Sequence, residues 1–148
     1  IHMGHVDIID RASRIFDEVI IAIAVNIDKN PLFSIDERIE LVISATSHLD
    51  NIKAHSTDGL IADFAKIHNA CGLIRGLRHV SDFEFEFQMA TMNNHLNPSV
   101  STLLMVTSDK YVHLNSSMVK NVSKLNGDIS KYVPDNVLKA LKQKFSHS

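Results

Sequence analysis

Apolar positions recur along this chain with two different periods, and the two alternate. Over residues 4–16, Val6, Ile9, Ala12, Ile15 and Phe16 fall on one helical stripe. The run Val19-Ile-Ile-Ala-Ile-Ala-Val25 breaks that spacing. Continuous and rich in β-branched side chains, it predicts a strand covered on both faces. Ser34-Ile-Asp-Glu37 is a capping box, opening a helix that turns Ile35, Ile39, Val42 and Ile43 inward. Residues 51–55 predict a short strand, 60–68 a helix and 72–74 a third strand ending at Arg75-Gly76. Residues 81–93 read two ways. Phe83, Phe85 and Phe87 alternate with Glu84 and Glu86 as in a strand, but Ser81 with Glu84 forms a second capping box and Gln88-Met-Ala-Thr-Met-Asn93 favours a helix. A helix is the prediction. Residues 100–106 predict a fourth strand. A helix follows over 116–125, with Val119, Val122 and Leu125 on one side and a stop at Gly127. Pro134 suits the first turn of a last helix, whose stripe is Val137, Leu138, Leu141 and Phe145.

Strands alternating with helices at this spacing predict an α/β fold with a doubly wound parallel sheet, in a single domain over residues 1–148. The chain enters its first helix with no strand before it. In doubly wound sheets the ligand lies beyond the carboxyl ends of the strands, where the winding reverses, and the strand feeding the first helix normally sits there.

Composition narrows the functional classes. With 45% hydrophobic and 22% charged residues the chain is globular rather than disordered. Its longest apolar run is too short to span a bilayer, so no membrane role is expected. A formal net charge of -2 provides no general basic field for a nucleic-acid backbone; any phosphate must be held by a few converging cations. The single cysteine, Cys71, leaves no internal disulfide and points to a cytoplasmic location.

Four places carry candidate chemistry. In His2-Met-Gly-His5, Gly4 allows close approach to the backbone and two imidazoles stand at a helix mouth, where a ring N–H can donate to a phosphoryl oxygen. A metal pair or two incidental surface histidines would look the same. Arg75 and Arg78 flank Gly76 at a strand end, where guanidinium groups fork onto phosphate; two exposed loop arginines are the alternative. In Asn115-Ser-Ser-Met-Val-Lys120, small polar residues at a helix start are either plain caps or a polyphosphate seat. Lys29, in the loop after the first strand, is either a solvated turn lysine or a further cation on the same rim.

Together these motifs resemble the bacterial phosphopantetheine adenylyltransferase family, within the nucleotidyltransferase group marked by (His/Thr)-x-Gly-His. The resemblance runs from His2 to about Leu141. Beside the histidine motif it rests on Lys29-Asn-Pro-Leu-Phe, Leu73-Ile-Arg-Gly-Leu-Arg78, Asp82-Phe-Glu-Phe-Glu-Phe-Gln-Met-Ala, Met92-Asn-Asn-His-Leu96 and Asn115-Ser-Ser-Met-Val-Lys120, in the family's order. It implies a Rossmann-like domain that joins the AMP of ATP to 4'-phosphopantetheine, giving dephospho-coenzyme A and pyrophosphate. His5 matches the catalytic histidine that contacts ATP, with His2 beside it. Lys29 and Arg75 match residues holding the acceptor's phosphate, and Ile61 a position lining the pantetheine pocket. Gly76, Leu77, Arg78, Glu86, Tyr111, Val112, His113, Leu114, Asn115, Ser116 and Ser117 match the ATP site. The resemblance further implies Mg²⁺ carried on the ATP phosphates with no protein ligand, a homohexamer, and coenzyme A as a feedback ligand.

The chain departs from the family pattern at three points. The Pro-Gly-Thr-Phe-Asp-Pro loop that precedes the family's histidine motif, and the strand before it, are expected to be absent from these residues. His2 stands where the family commonly has threonine, and Asn115 replaces the first serine of a Ser-Ser-Ser run. The competing readings are a nicotinate mononucleotide adenylyltransferase, a glycerol-phosphate cytidylyltransferase, and a catalytically silent nucleotide-binding fragment.

Overall fold

A computed structural model describes residues 1–25 and 31–146. The elements alternate as predicted: α1 (Met3–Ser13), β1 (Val19–Ala24), α2 (Ile35–Ala45), β2 (Ile52–Thr57), α3 (Ile61–Ile67), β3 (Gly72–Leu77), α4 (Val80–Leu96), β4 (Ser101–Val106), a 3-10 turn (Asp109–Tyr111), α5 (Ser116–Lys124) and α6 (Asp135–Ser146). Among the described residues the strands form two parallel pairs, β1 with β2 and β3 with β4, rather than one continuous sheet. The architecture is therefore α/β with parallel pairing, as the alternation required.

Local sequence explains most boundaries. Ser34 accepts the Glu37 N–H at 3.2 Å while Glu37 accepts the Ser34 N–H at 2.7 Å, so the expected capping box opens α2. The second box lies elsewhere. α4 starts at Val80 with His79 as its cap, and Asp82, not Glu84, reaches back to the His79 N–H at 3.3 Å. A carboxylate at the third helical position reaches the cap's amide; Glu84 sits too far along. β3 extends through Arg75 and Gly76 to Leu77, past the expected end, because its ladder to β4 continues to the pair Leu77–Val106. Asn126 takes a left-handed φ of 59° after α5, so the chain reverses there, one residue before Gly127.

The apolar stripes are only partly inward. On α1, Val6 and Ala12 are buried, while Ile15, two residues past its end, is exposed; on α2, Val42 is buried and Ile43 is not. In β1 Ile23 is buried, residues 19–22 are half-buried and Ala24 is exposed. The tightest cluster joins Val119 of α5, Ile129, Val133, and Val137 and Leu141 of α6. No helix among the described residues is long and apolar enough to cross a membrane.

Burial concentrated in so few side chains makes each one matter. Leu141→Ala, at a residue 2% exposed, is expected to lower unfolding free energy by about 2–5 kcal/mol. Denaturant titration of the variant against the parent checks this.

Candidate active site

α1 begins beside the C-terminal part of the chain, where the Met3 N–H donates to the Tyr132 carbonyl at 2.8 Å. His2 caps the helix in an extended conformation and is buried, 7% exposed. The His2 and His5 rings lie with centroids 3.8 Å apart. The His2 backbone N–H donates to His5 Nδ1 at 3.2 Å. That bond makes Nδ1 an acceptor, so in the neutral ring the proton resides on Nε2. His2 Nδ1 is buried with no partner among the described residues. A polar atom in that state costs about 1–3 kcal/mol unless a ligand reaches it.

Both rings are held neutral. Burial first, and then nearby positive charge including that of Arg78, push His2 down to about 4. His5 is lowered by burial, by His2 and by the same cations. Part of the His5 surface is open to water, and that exposure tempers the effect. The positive charge of Arg78 acts on both histidines, and Leu114, which its guanidinium reaches, is hydrogen-bonded to Tyr111 beside Gly4. Arg78 is anchored by Asp82, Nε to Oδ2 at 3.2 Å, and donates from Nη1 to the Leu114 carbonyl at 3.3 Å.

Leu114 is fully buried and ties the segment after the 3-10 turn to this corner. Gly4 explains the close approach: a Cβ there would stand 3.1 Å from the His2 ring and 3.4 Å from Tyr111 Cβ. Val112 is half-buried, and His113 packs edge-on against Tyr132 at 5.5 Å. Asn115 caps α5, its Oδ1 accepting the Met118 N–H at 2.8 Å, while Ser116 and Ser117 form an exposed first turn. Capping and anion seating are thus compatible, since the cap takes one amide and leaves the first turn facing solvent.

Arg75 sits apart from the histidines. Its Nε and Nη2 form a forked pair with Glu86 at 2.8 and 3.0 Å, with Glu86 buried and Arg75 half open. The carboxylate raises the Arg75 pKa, its hydrogen bond outweighing partial desolvation. Gly76 faces α1 across Ile8 and Thr107, and Leu77 is half-buried in β3. Ile61 is the first residue of α3 and half-buried. Lys29 lies outside the described residues. Among the described residues, His2, His5, Arg78, Tyr111 and Leu114 therefore share one corner, Arg75 pairs with Glu86, and no hydrogen bond or ion pair joins Ile61 to either group.

Sequence patterns missed Asp82, which anchors Arg78, and Asn51, whose amide donates to the Ser13 and Phe16 carbonyls at 2.8 and 2.9 Å and fixes the exit of α1. The spacing Arg78 to Asp82 was a usable signal for the first. Asn51 had none, because its partners lie 35 and 38 residues away.

The lowered histidines carry a pH consequence. Unfolded histidine titrates near 6.5, and a native ring that resists protonation leaves the unfolded chain binding more protons below that value. Their contribution is complete above about pH 6.5 and declines as pH falls toward 4. The loss of stability between pH 7 and pH 5 should be smaller in His2→Asn than in the parent, as read from denaturant midpoints at the two pH values.

Comparison with known proteins gives this corner a lineage. Residues 1–122 match the cytidylyltransferase-like family model. A phosphopantetheine adenylyltransferase of Heliobacterium modesticaldum is 49% identical over 142 residues, covering 96% of this chain and 84% of that protein. One of Caldanaerobacter subterraneus is 49% identical over 145 residues, covering 98% and 91%. One of Clostridium botulinum is 49% identical over 135 residues, covering 91% and 85%. With identity at this level across most of both partners, and with a nucleotidyltransferase domain match, the chain belongs to the phosphopantetheine adenylyltransferase family.

Proposed function

We propose that this chain transfers the adenylyl group of ATP to 4'-phosphopantetheine, forming dephospho-coenzyme A and pyrophosphate. The observation that carries the reading is a neutral His5 with its Nδ1 engaged, at a helix mouth shared with Arg78. The acceptor is a phosphate monoester, already anionic near neutral pH, and needs no general base. One of its oxygens attacks the α-phosphorus of ATP as the bond to the bridging β-oxygen breaks, and pyrophosphate departs. No covalent enzyme intermediate is required. Catalysis is positioning together with stabilisation of growing negative charge.

The residues divide accordingly. His5 donates from Nε2 to the α-phosphoryl oxygens, with His2 at its side. Arg78 and the first turn of α5, Ser116 and Ser117, hold the outer phosphates, and Gly76, Leu77, Tyr111, Val112, His113, Leu114 and Asn115 frame the nucleotide. Arg75, fixed by Glu86, presents its remaining Nη1 to the acceptor's phosphate; Lys29 is the second cation proposed there, and Ile61 lines the pantetheine arm. Coenzyme A, which contains that arm, is the proposed feedback ligand of the same seat. Among the described residues no group of three or more His, Cys, Asp or Glu is placed to hold a metal ion. Mg²⁺ fits this donor set only as a companion of the nucleotide, where it would neutralise charge on the phosphates. A cytoplasmic location and a single domain over residues 1–148 complete the reading.

We further propose a homohexamer. α4 is inverted: it buries Glu86 and Asn93 while exposing Val80, Phe83, Phe85, Phe87, Met92 and Leu96. Phe83 and Phe87 stack with ring centroids 5.9 Å apart, and this much exposed apolar surface on one helix suits a protein contact. Charge placed there should break it, so Phe87→Glu is expected to reduce the assembly to smaller species in light scattering after size-exclusion chromatography.

His5→Ala should lower turnover by roughly 10²–10³ in a pyrophosphate-release assay if the ring donates to the transition state. An unchanged rate would remove His5 from the mechanism. The same assay run with nicotinate mononucleotide or glycerol phosphate as acceptor separates this function from the rest of the superfamily.

A further inference from the structure

Two charged residues of α1, Asp7 and Arg11, take no part in the chemistry above. They are one turn apart and paired, Arg11 Nη2 to Asp7 Oδ2 at 3.1 Å. A half-exposed pair of this type contributes little by itself. This one reaches across the molecule. Asp7 Oδ2 also accepts the Ser108 backbone N–H at 3.2 Å, and Arg11 Nη2 donates to the carbonyl of Val106, the last residue of β4, at 2.5 Å. Between them, Thr107 is buried and its N–H donates to the Leu77 carbonyl at 2.9 Å. Three successive residues, 106, 107 and 108, are thus fixed by side chains of α1 and the backbone of β3.

These are the last anchored positions before the 3-10 turn that delivers Tyr111 to Gly4 and Leu114 to Arg78. The helix that grips residues 106 and 108 is the helix whose first turn carries His5. If the grip loosens, the segment from 109 onward shifts relative to the imidazole, and misplacement of about 1 Å between reacting groups costs on the order of 100-fold.

We infer that Asp7 and Arg11 are positioning residues that clamp the β4–α5 connection to α1, so that His5 and the nucleotide-holding residues 111–117 keep one fixed spacing. The inference rests on the reading of residues 111–117 as the ATP site.

The test uses the full chain and the variants Asp7→Ala, Asp7→Asn, Arg11→Ala, Arg11→Lys and Asp7→Ala/Arg11→Ala. Turnover and both Michaelis constants are measured, together with binding of a non-hydrolysable ATP analogue by calorimetry. Each alanine variant should lower kcat/KM for ATP by at least about tenfold, with the Michaelis constant for phosphopantetheine within about twofold of the parent. The double variant should be no worse than the weaker single one by more than about twofold, because the pair acts as a unit. Asp7→Asn keeps an oxygen for the Ser108 N–H and should retain more activity than Asp7→Ala. The clamp is overturned if the alanine variants stay within about twofold of the parent for ATP, or if losses fall equally on both substrates and simply add. A parent without adenylyl transfer would sink the function instead. Analogue binding by the variants relative to the parent then still decides the clamp.

Discussion

The packing of α1 against both β1 and β3 is the contact on which the site depends, because it links the two parallel strand pairs. Asn51 ties the exit of α1 to the start of β2, and the Met3 amide ties its entrance to Tyr132. A helix fixed at both ends across two sheets is also rigid enough to display chemistry at its first turn. Scaffold and site are the same element.

In a chain of slightly negative net charge, the candidate site gathers positive charge locally. Positive charge is concentrated in Arg75 and Arg78, each held by a carboxylate of α4, Glu86 and Asp82 respectively. Those pairings fix the direction of each guanidinium while leaving other N–H donors for a ligand. Desolvation and neighbouring charge lower both histidine pKa values, so a neutral ring offers an N–H without adding positive charge. α4 therefore faces two ways, with acids directed to the arginines and phenylalanines directed outward.

Periodicity and capping chemistry made the order of elements legible. The helix over Val80–Leu96 was recoverable despite the Phe–Glu alternation because the helix-forming run after Phe87 outweighed a short period-2 signal. Ends were less legible: β3 ran beyond Ile74 because its register with β4, a non-local pairing, kept supplying hydrogen bonds. Inward stripes were over-read at Ile15, Ile43 and Leu125. A stripe records which residues are able to face a core, not whether a neighbour arrives to cover them.

The amino-acid sequence by itself determined the alternating α/β order, the family, and which residue types are available to meet phosphate, since these depend on local spacing and on motifs short enough to read in one dimension. Tertiary structure decided which of those residues share a corner. His2, His5, Arg78, Tyr111 and Leu114 converge because α1 crosses the ends of β3 and β4, whereas Arg75 is drawn to Glu86 on the other side of its strand. It also decided the tautomer of His5, through one backbone amide, and the contacts of Asp7, Arg11, Asp82 and Asn51. The contacts of Asp7, Arg11 and Asn51 that matter lie tens of residues away, and Asp82 gains its meaning from where Arg78 ends up. Only the folded chain brings such partners within hydrogen-bonding distance.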